Sequence, residues 1–191
     1  MIVERPSDAL LFPAGVALKL APNQMLLLEL HAINTGTEHV DAAGTFYFDT
    51  LPLSTQIVES NMAFWGTLAI AIPAASPGTT GVLFQPGNAG TKAFALTTHQ
   101  HRLGTRFRVW ASERDGDTAA PPIAETLDWS NPPLYRLEPE ISFNGENGLS
   151  FQCDWENPTD QLITFGESAL QEMCFLWMYY YPSVGFDVRF F

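Results

Sequence analysis

Apolar residues in this chain recur in short runs cut by proline and glycine, and nowhere at the spacing of an amphipathic helix. No window carries a sustained i, i+3, i+4, i+7 stripe with caps at both ends. The runs are residues 25–30 (MLLLEL), 45–48 (TFYF), 68–72 (LAIAI), 81–84 (GVLF), 107–110 (FRVW), 141–143, 149–153, 162–165 and 173–181. Turn-forming residues separate them at 34–36, 76–78, 86–90, 114–117, 131–133, 144–148 and 157–160. About nine strands at this spacing predict an all-β chain, an antiparallel β-sandwich of jelly-roll type. Residues 166–171 read as a single helical turn before the last core strand.

A length of 191 residues suits one domain, or one domain with part of another, and a 46% hydrophobic fraction suffices for a packed core. Twenty-one acidic against nine basic residues give a formal charge of −12. Such a surface repels nucleic-acid phosphates and anionic headgroups, which excludes nucleic acid and membrane as expected partners; it draws cations instead. No apolar stretch is long enough for a membrane-spanning helix. The first residues lack the basic region, apolar run and small-residue cleavage site of a secretory signal, so the chain reads as cytosolic or as a mature or excised piece. Cys153 and Cys174 fit either two buried thiols or one disulfide in an exported protein.

Four histidines stand at positions 31, 39, 99 and 101. In Thr98-His99-Gln100-His101 an extended backbone sends both imidazoles to one face, side by side, as two ligands of one metal require. The bland alternative is two surface histidines on an exposed strand, and the motif is short. Met173 opens the run that ends in three tyrosines. Taken alone, a methionine there fills core space; beside two imidazoles, its thioether completes a soft donor set that favours Cu(I) over zinc or magnesium.

Four blocks in order resemble the C-terminal catalytic domain of the copper type II, ascorbate-dependent monooxygenases. Leu28-Glu29-Leu30-His31 is similar to the strand ending in a histidine ligand of the family's first copper. Lys92-Ala93-Phe94 through His99-Gln100-His101-Arg102-Leu103-Gly104 resembles the signature H-x-F-x4-H-T-H-x2-G. Residues 149–153 resemble the strand holding half of a disulfide. Glu172-Met173-Cys174 with the tyrosine run resembles the block carrying the methionine ligand and the other cysteine. The resemblance spans residues 15–182. It implies that His99, His101 and Met173 bind the copper at which dioxygen is activated and a C–H bond hydroxylated, with ascorbate as reductant. It also implies a Cys153–Cys174 disulfide and hence a periplasmic or extracellular location. A loop of that length is worth about 3 kcal/mol on chain-entropy grounds.

The departures from the pattern are equally specific. The family's first copper uses an adjacent His-His pair plus one later histidine; only the later one, His31, is present in this sequence. His31 is therefore an orphan ligand, and electrons for coupled hydroxylation must come from an N-terminal copper domain or a second subunit. Peptide-amidating members hold the substrate carboxylate with an arginine where Thr97 stands and a tyrosine where Trp177 stands. A glycine-terminated peptide is thus an unexpected substrate, and Thr97, Phe175 and Trp177 form a more apolar wall for a small-molecule or peptide-like substrate. Lys92 and Gln100 replace residues that are not ligands.

The expected organisation is residues 1–40 as a strand segment resembling the end of the N-terminal copper domain, followed by the copper-binding sandwich in residues 41–191. Two other functions compete with the monooxygenase. One is a non-enzymatic copper module for storage, delivery or sensing. The other is a structural sandwich with relic ligands, or with a carboxylate in place of the methionine around zinc.

Overall fold

A computed structural model describes residues 9–27, 36–41 and 43–191. Leu28, Glu29, Leu30 and His31 lie outside the described residues, so the strand expected there and the orphan ligand have no structural account. Thirteen strands and no helix occur among the described residues. They are β1 (Val16–Leu18), β2 (Val58–Gly66), β3 (Ala71–Ile72), β4 (Ser76–Thr79), β5 (Leu83–Pro86), β6 (Lys92–His99) and β7 (Gly104–Ser112). The chain continues with β8 (Ala124–Thr126), β9 (Tyr135–Ser142), β10 (Gly148–Asn157), β11 (Ile163–Thr164), β12 (Phe175–Tyr181) and β13 (Asp187–Phe190). The all-β expectation holds. The runs at 68–72 and 162–165 contain β3 and β11; the count exceeds the expected nine because short strands such as β1, β4 and β8 carry too few residues to show a pattern of their own. The expected helical turn at 166–171 is a hydrogen-bonded turn, closed by Gln171 N–H donating to Ser168 O at 2.8 Å.

One sheet has six strands in the order β1-β2-β12-β6-β9, with β13 also on β2. The second has five in the order β4-β10-β7-β8, with β5 also on β10, and β11 pairs β3 separately. Alternation explains how both sheets share a core. From the first come Ala63, Trp65, Leu96, Leu176, Met178 and Tyr180; from the second come Phe107, Val109, Leu149, Phe151, Cys153 and Trp155. Each fully buried aliphatic or aromatic side chain contributes roughly 1.5–3 kcal/mol over its exposed state, so this shared layer dominates the stability. Trp65 carries the last strand as well: its indole N–H donates to Asp187 at 3.3 Å and Arg189 lies over its ring at 5.4 Å.

The opposite face of the six-stranded sheet positions the site. Phe175, Trp177 and Tyr179 alternate with the core residues of β12 and meet β6 in the pairs Phe175 with His99, Trp177 with Thr97 and Tyr179 with Ala95. Gly66 of β2 sits opposite Phe175, and a Cβ there would fall 2.0 Å from the Phe175 ring. Glycine is required at that point for the ring to lie over the strand. At the other end of this face Leu10 and Phe12 pack against Phe94, Ala95 and Tyr179.

The largest surprise relative to the sequence is β2, nine residues long and central to the first sheet. Its start, Glu59-Ser60-Asn61, is polar, and its short apolar run, Met62-Ala63-Phe64-Trp65, is not among those that read as strands in the sequence. The expected strand at 45–48 is absent, and Met25 and Leu27 are exposed at 88% and 90%. These segments are apolar but have no ladder partner among the described residues.

Candidate metal centre

β6 ends at His99, which is half-buried and faces Phe175 across the ladder. His101 follows two residues later, beyond the strand end, and is only 3% exposed. The two imidazoles stay together, with ring centroids 5.2 Å apart and planes at 84°. The turn into β7 closes immediately, with Gly104 N–H donating to His101 O at 2.9 Å. A Cβ on Gly104 would lie 2.8 Å from Gln100 Cβ, so the turn closes this tightly only around glycine. Gln100 does not point with the histidines to a ligand; its amide donates to Asp154 O at 3.2 Å and ties the turn to β10.

The His101 ring has a defined tautomer. Nδ1 lies 2.9 Å from Gln171 O. A carbonyl oxygen only accepts, so Nδ1 carries the proton and the neutral ring keeps its lone pair on Nε2. Histidine ligands of metals are commonly oriented in this way, by a backbone carbonyl on the other nitrogen. Gln171 belongs to the segment that carries Met173. Met173 itself is half-buried. Its neighbours on both sides are fixed to the histidine region, Glu172 by hydrogen bonds and Phe175 by its pairing with His99.

Glu172 has no exposed surface. Its carboxylate accepts from His101 N at 3.0 Å, Leu103 N at 2.8 Å and Trp155 Nε1 at 2.9 Å. Burial pushes the carboxyl above its ordinary range, against the opposing pull of the Leu103, His101, Trp155 and Met173 N–H groups. Nothing in the sequence pointed to Glu172 as more than the first residue of an apolar run; the available signal was a carboxylate abutting that run. On the other side of Met173, Cys174 is bonded to Cys153 of β10, with both cysteines fully buried. The disulfide expected from resemblance is formed.

Thr97, Phe175 and Trp177 lie on one sheet face beside His99, as their pairing requires. Thr97 is fully buried and Phe175 is 4% exposed, leaving Trp177 as the member of the three that keeps appreciable surface. Around them Phe64 stacks on Trp177 at 3.9 Å and lies 4.5 Å from Phe175, and Phe190 lies 5.7 Å from Phe175. His39 is elsewhere, exposed beside Asp41 at 3.6 Å.

Among the described residues no group of three His, Cys, Asp or Glu side chains is placed to hold a metal ion. Among the described residues no third side chain of those types joins the two histidines, and the cysteines are joined in the disulfide. A carboxylate-completed zinc site finds no support in this arrangement. Met173 lies in sequence between Gln171, whose carbonyl meets His101, and Phe175, which pairs with His99. The set of two imidazoles and a thioether fits copper, above all Cu(I).

No protein of curated function matches the chain. The family model for the copper type II ascorbate-dependent monooxygenase C-terminal domain matches residues 83–190, more than half of the sequence, and contains His99, His101, both cysteines and Met173. The chain belongs to the copper type II ascorbate-dependent monooxygenases, through their C-terminal domain.

Proposed function

We propose that His99, His101 and Met173 hold one copper ion, and that the chain uses it with dioxygen to hydroxylate a C–H bond of an apolar substrate. The observation that carries this reading is the His101–Gln171 hydrogen bond. It leaves a lone pair on Nε2 and is made by the segment that carries the thioether. Copper held there supplies the reduction of dioxygen and the removal of a substrate hydrogen. The chain's own residues do the rest. His99 and His101 donate as neutral imidazoles. Met173 donates a soft sulfur, which favours the reduced ion. The aromatic surface of Phe64, Trp177 and Phe190 offers an apolar bed beside His99, with no cation among these three to receive a carboxylate.

Electrons come from ascorbate through a partner, an N-terminal copper domain or second subunit, in which His31 takes part. The sequence supports this, since it has no adjacent histidine pair to build a second site by itself. The buried disulfide is compatible with a periplasmic or extracellular setting.

Metal analysis after Cu(I) loading tests the site. One copper per chain is expected in the wild type, with the metal lost in His99→Ala/Met173→Ala; retention of stoichiometric copper by that variant would overturn the assignment. A second reading, a copper module without enzymatic turnover, is favoured by the same missing histidine pair. Ascorbate-driven oxygen uptake, with and without an N-terminal copper domain supplied in trans, separates the two. Uptake coupled to product is expected only when the domain is added, and a module gives none in either case.

A further inference from the structure

The carboxylate of Glu172 is fully buried and forms no ion pair among the described residues. It accepts three N–H groups from two parts of the chain: His101 and Leu103 in the turn after β6, and Trp155 on the opposite sheet. With the Met173 backbone N–H these donors satisfy it without a metal ion, and it belongs to no cluster of three metal-binding side chains among the described residues. Both chain neighbours matter to the site, however. Gln171 O fixes the His101 tautomer, and Met173 follows directly. A carboxylate that grips the backbone at 101 and 103 while its own backbone flanks both contacts holds two of the three proposed donors in one frame. A role confined to packing would be met by an apolar side chain, without the cost of burying a charge.

We infer that Glu172 is the positioning residue of the metal centre: it sets His101 and Met173 in register so that the Nε2 lone pair and the thioether converge. This rests on the copper reading above, but its tautomer component does not. Glu172→Gln keeps the size and puts an NH2 group against either Leu103 N–H or the His101 and Trp155 N–H groups. One donor must then face another, and the turn must move. The residue acts through His101 and Met173 and touches no reacting atom.

The test has two readouts on the whole chain. The first, in metal-free protein, is the His101 tautomer from imidazole nitrogen chemical shifts. Wild type is expected to hold the proton on Nδ1, and Glu172→Gln to populate both forms. The second is Cu(I) affinity by chelator competition, expected to fall about 10- to 100-fold, the range typical for groups that orient metal ligands. Leu149→Ala is the control for loss of stability alone. Leu149 is fully buried on β10, six residues along from Trp155 and so about 20 Å away along the strand. It should lower Tm and leave the tautomer and affinity unchanged. Trp155→Phe keeps an aromatic ring, removes one donor, and gives the same direction with smaller size should Glu172→Gln not fold.

An unchanged tautomer and unchanged affinity in whichever of Glu172→Gln and Trp155→Phe folds would overturn the inference, as would equal affinity loss in Leu149→Ala. Absence of Cu(I) binding by wild type with the tautomer shift still present would sink the copper reading and leave the positioning of His101 standing.

Discussion

Tyr181 closes the aromatic face far from the histidines, and its environment makes a measurable claim about a single proton. The phenol donates to Glu140 of β9 at 2.5 Å, reaching across β6, whose Phe94 ring lies 6.1 Å away. The hydrogen bond to Glu140, then burial, then the Glu140 charge push its pKa from an ordinary value near 10 up to about 12. The unfolded chain releases this proton near 10 and the folded chain near 12, so between those values the native state binds more protons. The contribution to stability is complete below pH 10 and is lost as pH rises through about 12. Burial raises Tyr180 as well, so ultraviolet titration should show a late tyrosine component whose amplitude falls by one phenol in Tyr181→Phe and which moves in part to lower pH in Glu140→Gln. Urea midpoints of the wild type should decline more steeply across that window than those of Tyr181→Phe. A late component of unchanged amplitude in Tyr181→Phe would assign it to other tyrosines.

At the scale of elements, β2 and β12 meet at a point where a methyl group decides the packing. Gly66→Ala would place Cβ 2.0 Å from the Phe175 ring and 2.5 Å from Cys174 O. The ring must swing off the strand, and overpacking of this kind costs about 1–3 kcal/mol. Because Phe175 pairs with His99, the displacement reaches the candidate centre. The expected outcome is a lower Tm together with altered His99 ring resonances, while the resonances of Ser112, at the far end of β7, stay in place. Unchanged His99 signals would show that the strand absorbs the methyl elsewhere.

The legibility of the fold follows the same elements. Runs such as 107–110 and 149–153 announced β7 and β10, since strands buried on the core read as apolar whatever their neighbours. β2 stayed hidden because Glu59, Ser60 and Asn61 interrupt any alternation, and its place is set by pairing with β12 more than a hundred residues later. The reverse error occurred at residues 25–27 and 45–48, where local apolarity has no partner strand among the described residues to make it a ladder. The proposed ligands came from the sequence because His99 and His101 are close together in it and the resemblance supplied Met173. Glu172 was not, because a carboxylate becomes a hub only when N–H donors from positions 101, 103 and 155 converge on it. Local sequence carries no trace of that convergence.

For the whole molecule, metal binding and folding are linked. The proposed donors come from the end of β6, the turn beyond it and the segment before β12, so they meet only in the folded chain. Copper held by these proposed donors would therefore favour the native state. At a free Cu(I) concentration about 100 times Kd the gain is about 2.7 kcal/mol. For a chain of this size that raises Tm by roughly 5–10 °C. Calorimetry with Cu(I) buffered by a chelator should show that rise in the wild type and none in His99→Ala/Met173→Ala. Equal shifts in both proteins would place the copper elsewhere, for example on the acidic surface that gives the chain its charge of −12.

The disulfide next to Met173 has a bearing on how such a molecule is made. Before oxidation, Cys174 is a thiol adjoining the methionine, and thiolates outcompete thioethers for Cu(I). A chain meeting copper in the reduced state would capture it on sulfur of the wrong kind, with Cys153 free to help. Closing the bond between them removes both competitors and leaves Met173 as the sulfur beside the histidines. On the proposed ligand set, maturation would then take an order, oxidant first and metal second.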